Sequence, residues 1–241
     1  MSQYKSSDLL TISIARALKG AENCFHGVAS GIPCIAIMLS RRLHNPDLVY
    51  LNITGGVNVD RSIREVSTDG NDLYEDSASA FGLADIFDLA ARGGLDVAFL
   101  SGGQVDQGGR VNNSVIGPFR QPKVKLPGGA GSAVLIPNTK RAFVWKSKHE
   151  KRGLVERVDF ITSQGNVKYV FTPLCTFEMV DGSLQLKERM PGVSFDTIQE
   201  NTGFVVENNG APEMPPPTPQ EMEALNDIDP LRFRDLETGE S

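Results

Sequence analysis

Apolar residues recur along the chain at two different spacings. Ser6-Ser7-Asp8 lead into Leu9, Leu10, Ile12, Ile14, Ala15 and Leu18, which predict a capped helix closed at Gly20. A short strand over 23–28 runs into a Gly27-Val28-Ala29-Ser30-Gly31-Ile32-Pro33 loop. Ile35, Ile37, Met38, Leu39 and Leu43 then restore helical spacing over 34–44, and 48–53 read as a buried strand. Residues 60–76 are charged and aperiodic, which predicts a long loop near the active site or a partner. A helix over 81–91 ends at Gly93-Gly94. Strands are predicted at 97–100, 134–136, 142–145, 158–161 and 167–172. A hairpin turns at Asp181-Gly182 within 178–188, and Ser194 caps a short helix over 194–201. Strands alternate with helices in the first half and cluster in the second, the pattern of an α/β fold with a mixed sheet.

From Glu207 the composition shifts. Asn208-Asn209-Gly210 and a proline run form a stiff, extended linker. Thr218-Pro219-Gln220-Glu221 is a capping box that starts a short helix to about Asn226. The rest of the tail has too little apolar surface to fold alone and is expected to pack on the core or on a partner. The expected division is therefore a domain over 1–206 and a proline-rich linker with a helical tail over 207–241.

Composition narrows the function classes. Net charge is −6 over 241 residues, which argues against non-specific nucleic-acid binding. No apolar run approaches the about 18 residues that a membrane span requires, and the N-terminus has no signal-peptide pattern, so the cytoplasm is the expected location. Cys24, Cys34 and Cys175 are widely spaced, a count that suits a reducing compartment, and the apolar surroundings of Cys34 and Cys175 read as those of buried inert thiols. His26, His44 and His149 share no metal-ligand spacing, and no metal site is expected.

The densest chemical signal is AFLSGGQVDQGGRVNNSVIGPFRQPKVKLPGGAGSAVL. A strand ends in a glycine pair, and a second glycine knot, Gly128-Gly129-Ala130-Gly131, follows further on. Glycines after a strand let backbone N–H groups approach a ligand closely, an arrangement that suits an oxyanion or a thioester carbonyl.

These residues resemble the β-type subunits of the family I CoA-transferases, of the glutaconate CoA-transferase kind. Gly27 through Pro33 is similar to the family's strand-loop-helix near the N-terminus. Asn45-Pro46-Asp47-Leu48 precedes the strand that would carry the active-site loop. Gly103-Gln104-Val105-Asp106 with Gly109 and Asn112 resembles the family's GAQVD-x-x-G-x-x-N turn, and Gly128-Gly129-Ala130 its GGA loop. Pro191-Gly192-Val193 and Thr202-Gly203-Phe204 are similar to its HPGV and TGF signature. The resemblance implies a three-layer αβα fold with a mixed sheet and an active site at the interface with an α-type subunit. It also implies an acyl-CoA thioester as substrate, with no permanently bound cofactor. Gly128, Gly129 and Ala130 would then be backbone oxyanion donors, and Gly55, Gly56, Gln104, Asp106 and Asn112 would line the CoA or acyl cleft.

One departure stands out. The family's strand ends in a glutamate that carries the covalent intermediates, whereas this chain reads Val49-Tyr50-Leu51-Asn52-Ile53-Thr54-Gly55-Gly56. Thr54, or a residue on either side of it, occupies the glutamate position. A threonine hydroxyl with no adjacent base is a poor nucleophile and forms no mixed anhydride. The leading reading is a β-type CoA-transferase subunit. A second is a relative that cleaves carbon–carbon bonds of CoA-bound substrates by hydrolysis or decarboxylation, with a base from the α-type chain. A third is a non-catalytic partner subunit. His26 is read first as a partly buried neutral histidine and second as facing the cleft. Lys146, Lys148, Lys151 and Arg152 are read as a solvated face, or as partners for CoA phosphates. Tyr50 and Trp145 are expected in the core.

Overall fold

The computed structural model describes residues 4–240, which form two compact units, residues 4–99 with 215–240 and residues 100–214. In the first unit, α1 (Ser6–Ala17) precedes β1 (Asn23–His26), α2 (Gly31–Leu43) and β2 (Val49–Asn52). Two short strands, β3 (Gly56–Val57) and β4 (Ser79–Ala80), then α3 (Leu83–Ala91) and β5 (Val97–Ser101) complete its N-terminal part. The strands lie in the order β5-β1-β2-β3-β4, with β1 parallel to β2 and β5 and the short strands antiparallel. Leu10, Ile12, Ile14, Ile35, Ile37 and Leu39, from α1 and α2, are fully or nearly fully buried. Each such side chain contributes about 1.5–3 kcal/mol. The loop expected over 60–76 is present, interrupted only by a single 3₁₀ turn at Asn71–Leu73.

The second unit contains β6 (Gln104–Asp106), β7 (Val111–Asn112), β8 (Val115–Ile116), β9 (Val124–Lys125), α4 (Ser132–Asn138) and β10 (Arg141–Trp145). It continues through β11 (Leu154–Val155), β12 (Val167–Phe171), β13 (Cys175–Val180), β14 (Ser183–Arg189) and α5 (Phe195–Asn201). Its larger strands run β14-β13-β12-β10, antiparallel except for the parallel β10–β12 pair. The mixed α/β class expected from the pattern is observed. The core joins Val105, Ile136, Val144, Leu154, Val170, Phe177 and Phe204.

Two predicted strands are not strands. Residues 134–136 lie in α4, where Val134 and Leu135 N–H both reach the Gly131 carbonyl. A short apolar run does not distinguish strand from helix, and here the small-residue turn before it starts a helix that buries Leu135 and Ile136. Residues 158–161 join no ladder. The Val158 N–H donates to Asp106 Oδ2 at 3.3 Å and the Asp159 N–H to Gln104 Oε1 at 3.1 Å, so side chains take the donors a strand would share.

The chain returns to the first unit through α6 (Pro219–Ile228) and α7 (Phe233–Thr238). The Thr218 capping box forms as its sequence predicts. The tail buries Leu225 and Ile228 and docks through charge as well. Arg234 is fully buried, 2.7 Å from Asp8 and 2.9 Å from Asp229. Burial works against ionising Asp235, but hydrogen bonds from Arg232, Lys5 and Ser7 outweigh it and hold the carboxyl well below its ordinary range. No helix among the described residues is long and apolar enough to cross a membrane.

Candidate active site

In the first unit, β1 and β2 end side by side with His26 opposite Asn52, both fully buried. Ligands of open α/β sheets bind beyond the carboxyl ends of such strands. Asn52 organises the turn that follows it. Its Oδ1 accepts the Thr54 N–H at 3.1 Å, the Gly56 N–H at 3.0 Å and the Thr54 hydroxyl at 2.7 Å. Its Nδ2 donates to the Leu73 carbonyl at 2.7 Å and ties down the 60–76 loop. The Thr54 hydroxyl proton is thus given to an amide oxygen, which is no base. Gly55 has φ +92°, and a Cβ there would run into the Phe81 carbonyl oxygen. A Cβ at Gly56 would meet the Leu73 carbonyl and Ser77 Oγ, so both glycines are required by the turn itself.

Thr54 lines an open cavity of about 570 Å³ with Val28, Ile53, Asp69, Asn71, Tyr74 and Leu83. Sequence reasoning missed Asp69, a carboxylate on the same cavity. The signal was present in the expectation that 60–76 lies by the active site, but no motif singled the residue out. Asn52 was missed too, although a polar residue inside an apolar strand is itself a signal.

His26 faces inward. Its Nε2 is 2.6 Å from the Tyr50 hydroxyl, which contacts Cys34 Sγ at 3.3 Å. Burial lowers the His26 pKa to about 4 and raises the Cys34 thiol to about 12, so the imidazole is neutral and the thiol unreactive. Cys24 and Cys175 are buried as well, with thiols raised by desolvation.

In the second unit the Gln-Val-Asp turn is a closed hydrogen-bond knot. The Asp106 carboxylate, fully buried, accepts the Gly108 and Arg110 N–H groups at 3.1 Å and pairs with Arg110 Nε at 2.9 Å. Asn112 Nδ2 donates to Gln104 Oε1 and to the Val115 carbonyl, each at 2.7 Å. Gln104 and Asn112 therefore meet each other, Asp106 holds the turn's own N–H groups and Arg110, and Val158 and Asp159 bond to Asp106 and Gln104 from outside the turn.

The 128–130 loop differs. Gly128 N–H donates to the Asn113 carbonyl at 2.8 Å, but the Gly129 and Ala130 N–H groups have no hydrogen-bond partner among the described residues. Ala130 holds φ +42°, a left-handed conformation that costs an alanine about 1–2 kcal/mol. A Cβ on Gly129 would lie 2.6 Å from Thr162 Cγ2, so glycine is needed for the loop to sit on Thr162. Strain and unpaired donors coincide on a surface loop, as they do at ligand clamps.

The basic cluster is divided. Lys148, Lys151 and Arg152 are exposed, and Arg152 pairs with Glu150 at 2.6 Å. Lys146 is instead buried, which corrects its reading as part of a solvated face. Its Nζ donates to the Gly102 carbonyl at 2.6 Å, and burial lowers its pKa to about 8. His149 is neutral, its pKa lowered by burial to about 4, with its ring nitrogens 2.8 and 2.9 Å from the Thr172 and Thr202 hydroxyls. Tyr50 and Trp145 are buried in the core. No group of His, Cys, Asp or Glu among the described residues could hold a metal ion.

Against known proteins, a family model described as Coenzyme A transferase matches residues 9–201. The chain is 30% identical to the β-type subunit of the 3-oxoadipate CoA-transferase of Pseudomonas knackmussii over 95% of each protein. It is 25% identical to the β-type subunit of the glutaconate CoA-transferase of Acidaminococcus fermentans, over 94% of this chain and 93% of that one. Among solved structures, it is similar to the decarboxylase AibA/AibB with a TM-score of 0.91 and 27% identity, over 98% of this chain and 99% of the other.

Proposed function

Because the chain belongs to the coenzyme A transferase family, as a β-type subunit with its α/β, three-layer αβα fold, we propose that it is half of a heteromeric enzyme. It joins an α-type subunit and acts on an acyl-CoA thioester in the cytoplasm. Transfer of CoA between carboxylic acids is the reaction that family membership favours. The observation that carries the proposal is the pair of successive free N–H groups on Gly129 and Ala130. They can receive the thioester oxygen as negative charge develops on it. The CoA thioester comes and goes as substrate, and no cofactor stays bound. Gly128 shapes the donor loop, and Gly55 and Gly56 shape the turn after Thr54. Gln104, Asp106 and Asn112 act on the ligand through the backbone they fix.

A second reading rests on Thr54. Its hydroxyl is committed to Asn52, and no carboxylate follows on the strand, so a glutamyl intermediate has no attachment point at this position. The likeness to a decarboxylase supports cleavage of a carbon–carbon bond instead. In that chemistry the electrons of the breaking bond pass into the thioester carbonyl, and the enolate oxygen that results is held by the Gly129 and Ala130 donors. The bond breaks with loss of CO₂, and the α-type subunit supplies the acid–base group that returns a proton to the enolate carbon, or that activates water where the cleavage is hydrolytic.

The test is to assay the chain alone and with its α-type partner, following both new thioester and released CO₂. Turnover is expected only from the complex. Equal turnover by the single chain would contradict the shared site, and the product formed separates the two readings.

A further inference from the structure

We propose that Asn113 and Lys146 are positioning residues that hold the Gly102–Gly103 turn and the 128–130 loop in one register, so that the Gly129 and Ala130 donors keep a single direction. The inference rests on the reading of that loop as the oxyanion site.

Asn113 uses its side chain and its backbone on different segments. Its Oδ1 accepts the Gly103 N–H and its Nδ2 donates to the Ser101 carbonyl, both at 2.9 Å, which clamps the first glycine turn. Its carbonyl accepts the Gly128 N–H at 2.8 Å, which anchors the start of the second loop. Its own N–H donates to Thr162 Oγ1 at 2.9 Å. Thr162 is the floor under the donors, since its methyl lies 2.6 Å from where a Gly129 Cβ would be, and its hydroxyl is also 2.6 Å from Ser114 Oγ. One residue thus meets the first turn directly and the donor loop twice, once at Gly128 and once through Thr162.

Lys146 supports the same turn from within. Its ammonium lies 2.6 Å from the Gly102 carbonyl and 3.4 Å from the Gly103 carbonyl, and among the described residues it forms no ion pair within 4 Å, with Glu150 acting on it from further away. A buried ammonium without a directly paired carboxylate is costly, and methionine would fill the same space without that cost. What lysine adds is a donor for two consecutive carbonyls that point into the protein. Gly103 is then held from both sides, by Asn113 at its N–H and by Lys146 at its carbonyl, and Gly102 is held at its carbonyl by Lys146.

The test is a double-mutant cycle in the complex with the α-type subunit, using Asn113→Ala and Gly129→Val and measuring kcat, KM and amide exchange over 126–131. Asn113→Ala should lower kcat at least tenfold and move KM less than threefold. Added to Gly129→Val, it should cost less than a further twofold, because its effect passes through the same donors. Multiplicative losses in the double variant, or a kcat within twofold of the parent in Asn113→Ala, would overturn the inference. Lys146→Met should act in the same direction, and it serves as the first arm of the cycle if Asn113→Ala does not fold. If Gly129→Val alone keeps full turnover, the oxyanion reading fails. The clamp is then judged by exchange: at least tenfold faster exchange over 126–131 in Asn113→Ala supports it, and unchanged exchange refutes it.

Discussion

At the end of β2 the polar side chains Asn52 and Thr54 are bonded to each other and to their own loop, whereas the 128–130 loop leaves two successive N–H groups without a partner among the described residues. Both places are turns after short strands, and both depend on glycine. The first uses glycine to fold the chain onto itself, since a Cβ at Gly55 or Gly56 would strike neighbouring carbonyls. The second uses it to seat a strained loop on Thr162, with two donors that have no partner among the described residues. The contrast teaches where chemistry can reside in a chain without the family's glutamate: on backbone donors, not on a side-chain nucleophile.

The comparison breaks most readily at Gly129. Gly129→Val in the complex should lower turnover by about 10²–10³, or about 2.7–4 kcal/mol of transition-state stabilisation, with a smaller change in melting temperature. A large thermal loss with unchanged specific activity would make the loop structural only. Asn52→Ala should show the opposite profile. It strands the Thr54 and Gly56 N–H groups and the Leu73 carbonyl, so denaturant unfolding should report a loss of about 2–3 kcal/mol.

Acid should load both units alike. His26 and His149 are neutral in the fold with pKa values lowered to about 4 from 6.5, so the unfolded chain takes up protons first as pH falls. Their contribution is complete above about pH 6.5 and is lost on descending toward pH 4, each with a slope approaching about 1.4 kcal/mol per pH unit. Melting temperatures flat from pH 7 to 5 would contradict this. Thr54→Ala removes one hydrogen bond, and about 0.5–1.5 kcal/mol of stability with it, but should change turnover less than threefold. Asp69→Asn should do still less to turnover if the base lies on the α-type subunit. A hundredfold loss there would move the base into the Thr54 cavity.

Much of this was legible in the sequence. Periodicity located α1, α2, α3 and the larger strands, and the Thr218 capping box marked the start of α6 to the residue, although the helix runs on to Ile228. The glycine motifs located both turns. What could not be read was which polar atoms remain free. Gln104, Asp106 and Asn112 look like ligand-binding residues as a motif, but their partners, among them Asp159 and Val158, come from a segment that sequence patterning assigns to a strand. Lys146 reads as surface because its neighbours do, and only the fold turns it toward Gly102. The tail's docking through Arg234 and Asp8 is a pairing across most of the chain length, which no local pattern contains.

The central claim concerns the position of Thr54 and is best tested by mass spectrometry of the complex after reaction with acyl-CoA, with and without borohydride trapping. The account predicts unmodified peptides across residues 52–58, even while the complex turns over. A CoA-dependent adduct on Thr54 or on any carboxylate of this chain would contradict it and return the covalent step of CoA transfer to the β-type subunit.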